Sequence, residues 1–251
     1  MYTPEERSRL RSDLLRHAST DARITGAAIT GSAALDNEDR WSDIDLAFGI
    51  GDAAQLRAVM SDWTTRMYED HGAVHHTDVA SGTWIYRVFL LDNTLQVDLA
   101  FAPAADFRAL APSFRLMFGK ANQPQDAPSS QPATDLIGMG WLYALHVRSS
   151  IARRKWWQAE YMISGVRDHA LALACIRHGL PAVHGRGFDQ LPPEVAAKFE
   201  ESLVLRLDAT ALSSAFKAAL SGLFAEIEHA DPQLARRLDA TLKRLGDSIT
   251  G

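Results

Sequence analysis

Three aspartates carry the strongest chemical signal in this chain. Asp43 and Asp45 stand two residues apart in SDIDLAFGI, and Asp98 lies in LQVDLAF. If both segments are strands, alternate side chains face opposite ways. Asp43, Asp45 and Ala47 then share one side of the first, with Ile44, Leu46 and Phe48 on the other. In the second, Gln96, Asp98 and Ala100 oppose Leu95, Val97, Leu99 and Phe101. With the apolar sides against helices, the three carboxylates converge on the opposite side. Carboxylates held so close repel unless they are protonated or bridged by cations. An all-oxygen ligand set favours magnesium or manganese, commonly beside substrate phosphates. Twelve residues before Asp43 stands Gly31-Ser32. A glycine lets backbone approach a ligand, and amides at a helix start, with the Ser32 hydroxyl, suit a phosphate.

The elements that must position these residues are readable from pattern. Residues 4–19 read as a helix with Pro and two Glu in its first turn. Residues 24–30 and 43–50 read as strands, the second cleanly alternating. Asp52 and Gln55 form a capping box for a helix running to about Asp70. Residues 83–91 and 95–101 flank Asp92-Asn93 and read as a hairpin. A two-residue turn there would pair Leu91 with Thr94 and set Arg87 opposite Asp98, most simply as a cross-strand ion pair. The Pro- and Gln-rich segment 119–135 reads as a linker or crossover. After it only helices are expected, at about 134–150, 152–178, 193–206, 209–229 and 231–247. The expected fold is therefore α+β: a mixed sheet with helices on one face over 1–118, the linker 119–135, and an all-α domain over 136–251.

Composition narrows the partners. The 251 residues are 47% hydrophobic and 23% charged, values of a globular chain. No apolar run approaches the ~20 residues of a membrane span, and the polar amino terminus does not read as a signal peptide. A single cysteine, Cys175, is expected to be a buried thiol and favours a reducing compartment, so a soluble cytoplasmic protein is expected. His71, His75 and His76 lack a partner set that would make a metal site and read as structural or surface residues. Residues 1–118 carry 11 basic and 17 acidic side chains, whereas 137–186 carry 7 basic and 2 acidic. That asymmetry suits a small polyanion held by metal ions on one side and cations on the other. A net charge of −5 suits a nucleic-acid duplex poorly.

The Gly-Ser pair at 31–32, SDIDL at 42–46 and VDLAF at 97–101 resemble the nucleotidyltransferase superfamily typified by DNA polymerase β. The resemblance covers roughly residues 20–105, and the chain is also similar in layout to the small-molecule branch that modifies aminoglycosides and lincosamides. It implies that Asp43 and Asp45 hold two divalent cations, Mg²⁺ or Mn²⁺, that Asp98 holds one of them, and that Gly31, Ser32 and Ser42 serve the nucleotide. Many members carry an arginine just after the Gly-Ser pair; here Ala33-Ala34-Leu35 follow.

In the second half, Ala159, Met162, Val166, Ala170 and Leu173 form an apolar stripe on the helix expected over 152–178. Arg153, Glu160 and Arg167, each seven residues apart, line another face. The resemblance implies a carboxylate from this half as general base toward the acceptor, for which Glu160 is the candidate, with Arg167 as a candidate phosphate ligand. A plain salt bridge is the alternative. The expected function is transfer of a nucleoside monophosphate, AMP by family habit, from an NTP to the hydroxyl of a small molecule, with release of pyrophosphate. The alternatives are a protein or RNA acceptor, or a silent nucleotide-binding module of the same fold; a homodimer is compatible with either.

Overall fold

The structure is a computed structural model describing residues 1–124 and 132–249. Residues 125–131, the middle of the segment expected as a linker, lie outside the described residues. The chain divides into two compact units, Met1–Ala127 and Pro128–Gly251. Among the described residues no helix is long and apolar enough to cross a membrane.

The first unit opens with α1, Pro4–Thr20. The Thr3 hydroxyl accepts from the Glu6 amide while the Glu6 carboxylate accepts from the Thr3 amide, a complete capping box behind Pro4. β1 (Ile24–Thr30) runs into the single-turn α2 (Gly31–Ala34), and β2 spans Ile44–Ile50. Asp52 then caps a 3-10 turn by accepting from the Ala54 amide, so α3 begins only at Leu56 and ends at Asp70, without the expected capping box. β3 (Ala73–Ser81), β4 (Trp84–Leu91), β5 (Gln96–Pro103) and β6 (Phe114–Gly119) complete a six-stranded sheet ordered β3-β4-β5-β2-β1-β6. Only β2 and β5 pair in parallel; every other neighbour is antiparallel.

Side-chain parity divides the sheet as the pattern requires. Ile44, Leu46, Phe48, Val97, Leu99 and Phe101 are buried in one cluster with Leu14 of α1 and Val59, Trp63 and Met67 of α3. Trp63 lies 4.7 Å from Phe48 and 6.5 Å from Phe101, ring to ring. The other face carries small side chains, Ala28, Ala47, Ala100 and Ala102, packed with Trp84 and Phe107. Phe107 rests on Gly49, where a Cβ would come within 2.8 Å of its ring. The mixed sheet, α1 and α3 on one face, and the helical second half make the α+β architecture expected.

Two features of the sheet differ from expectation. The β4–β5 loop has three residues, not two: Thr94 takes a left-handed φ of 72°, its amide donates to Leu91 O at 2.9 Å, and Leu91 donates to Leu95 O at 2.9 Å. Register therefore slips by one, setting Val88 opposite Asp98 and Arg87 opposite Leu99. A slip of one turns a side chain to the other face, so Arg87 pairs with Asp78 of β3 at 2.7 Å and donates to Thr64 Oγ1 of α3 at 2.6 Å. The second is β6, for which no element is expected. It is an exposed edge strand whose apolar residues are at most half-buried, so it has little of the periodicity that marks a core strand.

In the second unit α4 (Ala133–Ala152), α5 (Trp156–Arg177), α7 (Ala209–Ala230) and α8 (Pro232–Asp247) surround a core that includes Ala144, Val147, Ile163, Val166, Phe216 and Leu223. Between them, the helix expected over 193–206 is a short α6 (Pro193–Ala196) followed by 3-10 turns over Ala197–Ser202. Helix α5 starts four residues later than expected. Arg153 and Arg154 form the turn after α4, Arg154 with φ 55°, and the Arg154 and Lys155 amides donate to carbonyls in α4's last turn. Arg153 therefore does not share a helix face with Glu160 and Arg167. Cys175 is buried, as expected.

Arg7 of α1 ties the first unit to the chain entering β2. It is 4% exposed, donates to Asp39 O at 2.6 Å and Ser42 O at 2.9 Å, and pairs with Glu38 at 3.2 Å. Arg7→Met removes the donor from two carbonyls and one partner from a carboxylate. It should cost the first unit about 2–4 kcal/mol, read as a lower urea midpoint. An unchanged midpoint would show that water replaces the guanidinium without loss.

Candidate active site

The parallel register of β2 and β5 sets Asp45 directly beside Asp98. Paired residues on neighbouring strands face the same way, about 4.8 Å apart. Asp43, one residue before β2, joins them: each of the three carboxylates offers an oxygen, and these oxygens all lie within 4.8 Å of one another. All three residues are half-buried. Sequence parity thus places three acidic side chains on the face away from α1 and α3.

Their mutual repulsion is moderated by a neutral donor. The Gln96 amide donates to Asp98 Oδ1 at 2.9 Å and reaches Asp43 Oδ2 at 3.4 Å. Burial pushes the Asp98 carboxyl up from 3.8 to about 6; the Gln96 hydrogen bond opposes this, and the Asp43 charge adds to it. Gln96 was legible as a residue on the Asp98 face, but its bridge between two aspartates depends on the strand pairing.

Gly31 closes the site against Asp45. Its φ is +64°, and a Cβ built there would overlap Asp45 Oδ2 and lie 2.8 Å from Asp45 Cγ. Ser32 follows within α2, half-buried. No cation follows in sequence, but Arg115 of β6 reaches the same turn, donating to Ala33 O and pairing with Asp36 at 2.7 Å. Arg115 belongs to the unexpected edge strand, which is why sequence spacing did not reveal it.

Ser42 exchanges hydrogen bonds within its own loop: its hydroxyl accepts from the Asp39 amide at 2.9 Å and donates to Asp39 Oδ1 at 3.2 Å. Its carbonyl accepts from Arg7 and from the Tyr2 hydroxyl at 3.0 Å. In the second unit Glu160 is half-buried and accepts from the Ser164 hydroxyl at 2.8 Å. Arg167 donates to Ser202 O at 3.4 Å and lies 3.4 Å from the Asp168 carboxylate. Both therefore have partners inside their own unit. His75 and His76 lie on β3, where His76 meets the Tyr68 hydroxyl at 3.0 Å, and neither joins the carboxylates.

Among solved structures the chain is similar to an aminoglycoside 6-adenyltransferase from Bacillus subtilis, at 11% identity and TM-score 0.41 over 98% of this chain and 99% of that one. That likeness is too distant to carry an argument. No family model matches the chain. No curated protein matches it either. The functional reading rests on the site's own geometry.

Two outcomes follow from that geometry. Folded Asp98 holds its proton more tightly than the unfolded chain, so the stability it contributes is present at low pH and is lost as pH rises from about 4 through about 6. In EDTA, the unfolding temperature of wild type relative to Asp98→Asn should fall over that window, leaving the variant ahead by about 2–4 °C at neutral pH. Parallel curves would contradict the shift. Gly31→Ala, which drives a methyl into Asp45 at a positive φ, should displace that carboxylate and cost about 1–3 kcal/mol of stability; thermal melts with and without Mg²⁺ measure it.

Proposed function

We propose that the chain is a nucleotidyltransferase that moves a nucleoside monophosphate from a nucleoside triphosphate, ATP by preference, to the hydroxyl of a small molecule. The observation that carries this reading is the meeting of Asp43, Asp45 and Asp98 from two paired strands, beside a glycine turn packed against one of them. The donor set fits a hard divalent cation: three carboxylate oxygens within 4.8 Å, one of them on a carboxyl whose raised pKa reports burial and crowding. Asp43, Asp45 and Asp98 would hold magnesium or manganese. When bound, these ions neutralise the triphosphate and lower the acceptor hydroxyl's pKa.

The remaining roles belong to the chain's own residues. The Gly31-Ser32 turn offers backbone amides and a hydroxyl to the phosphates, and Arg115 braces that turn from β6. Ser42 is proposed to act on the nucleotide side through the loop it stiffens. The acceptor oxygen bonds to the α-phosphorus while the bond from that phosphorus to the α–β bridging oxygen breaks. Pyrophosphate leaves with the electron pair, and the hydroxyl proton passes to a base, for which Glu160 is proposed, with Arg167 as a phosphate ligand. Rigid positioning and charge neutralisation supply most of the catalysis in such a transfer.

Pyrophosphate release from ATP with Mg²⁺, measured across a panel of hydroxylated acceptors, tests the reading. Asp45→Asn should lower kcat about 10²–10³-fold without unfolding the chain. Label transferred to protein or RNA would redirect the proposal to those acceptors. Equal silence of wild type and variant on every acceptor, with nucleotide still bound, would favour a binding module.

A further inference from the structure

Asp45 and Asp98 are placed by the ladder that pairs β2 with β5, whereas Asp43 is not. It stands one residue before β2, between the Asp39–Ser42 turn and the strand. Its backbone neighbours are anchored: the Ser42 carbonyl accepts from Arg7 and from the Tyr2 hydroxyl, and Ile44 pairs with Val97. These contacts fix where the Asp43 side chain starts. They leave its torsions unset, so they do not decide where its carboxylate ends.

That falls to Gln96. One step back from the pairing of Ile44 with Val97, the parallel register sets Asp43 level with Gln96. The Gln96 amide nitrogen donates to Asp98 Oδ1 at 2.9 Å and to Asp43 Oδ2 at 3.4 Å. A carboxamide nitrogen carries two N–H groups, one for each acceptor. Among the described residues no other hydrogen bond reaches the carboxylate of Asp43 or of Asp98.

The residue type suits this task. A lysine or arginine would pair with the same carboxylates but bring a positive charge to the place a cation takes. A methionine would fill similar space and donate nothing. A carboxamide tethers two carboxylates and leaves their charge whole, and each carboxylate keeps further lone pairs for an ion.

We infer that Gln96 is a positioning residue of the cation site: it holds Asp43 within reach of Asp98 before the ion arrives, and so sets how tightly the ion binds. The inference rests on the transferase reading above and adds to it a residue outside the three-aspartate set. Groups that orient metal ligands from outside commonly govern about 10–100-fold of metal affinity.

The test reads metal binding, apart from turnover. Mn²⁺ alone is titrated into the full chain and followed by the electron paramagnetic resonance of the free ion. Wild type should saturate, and Asp45→Asn should lose the binding. Gln96→Met, which keeps the length of the side chain and removes its donor, should weaken Mn²⁺ binding about 10–100-fold. Gln96 is exposed, so its replacement leaves the fold intact, and a cooperative thermal melt checks this. In an Asp43→Asn background, Gln96→Met should produce a smaller fold-change than in wild type, because the carboxylate it positions is gone. Mn²⁺ affinity indifferent to Gln96→Met would overturn the inference and leave the cation site standing. Equal fold-changes in the two backgrounds would also overturn it, since Gln96 would then not act through Asp43. Failure of wild type to bind Mn²⁺, or binding unchanged in Asp45→Asn, would strike the cation site of the transferase reading, and the role of Gln96 with it.

Discussion

The parallel pairing of β2 with β5 is the constraint on which the site depends. It places Asp45 beside Asp98, and neither carboxylate can leave without breaking a strand whose other face is the hydrophobic core. Burial of a charged group opposes the arrangement and the Asp43 charge adds to it, both of which raise the pKa of Asp98. Burial of Ile44, Leu46, Phe48, Val97, Leu99 and Phe101 against α1 and α3 supports it. The sheet is thus the means by which apolar packing holds acidic side chains together.

Around this centre the supporting contacts come from distant parts of the first unit. Arg7 and Tyr2, from the chain start, hold the carbonyls of the loop leading into Asp43. Gly31 supplies the clearance that Asp45 occupies, and Arg115 grips the same turn from an edge strand. The acidic residues are therefore positioned by a basic and glycine framework, in which the Arg115 contact to Ala33 alone spans 82 residues of sequence.

Much of the fold was legible because periodicity reports burial. The strand over 24–30 and the helices around 4–19, 209–229 and 231–247 lie where their patterns place them; each of these three helices starts at a side-chain cap, and the first and last also carry a proline there. Elements without a strong apolar face were missed or misdrawn. Edge strand β6 is half-exposed, the 197–202 turns carry only one buried large apolar side chain, and the α4–α5 boundary is set by the left-handed Arg154, a conformation no periodicity encodes.

The sequence by itself determined which side chains share a face, because alternation along a strand is a local property of extended backbone. It therefore brought Asp45 and Asp98 to one side of the sheet and their apolar neighbours to the other. Only the tertiary structure decided which residues meet across strands. The three-residue hairpin with Thr94 at positive φ moved Arg87 away from Asp98 and toward Asp78, and set Val88 in its place. The pairing of β2 with β5 likewise let Gln96, bonded to Asp98 on its own strand, reach Asp43 as well. Register is fixed by loop closure and by packing between segments far apart in the chain, and neither leaves a mark within a short stretch of sequence.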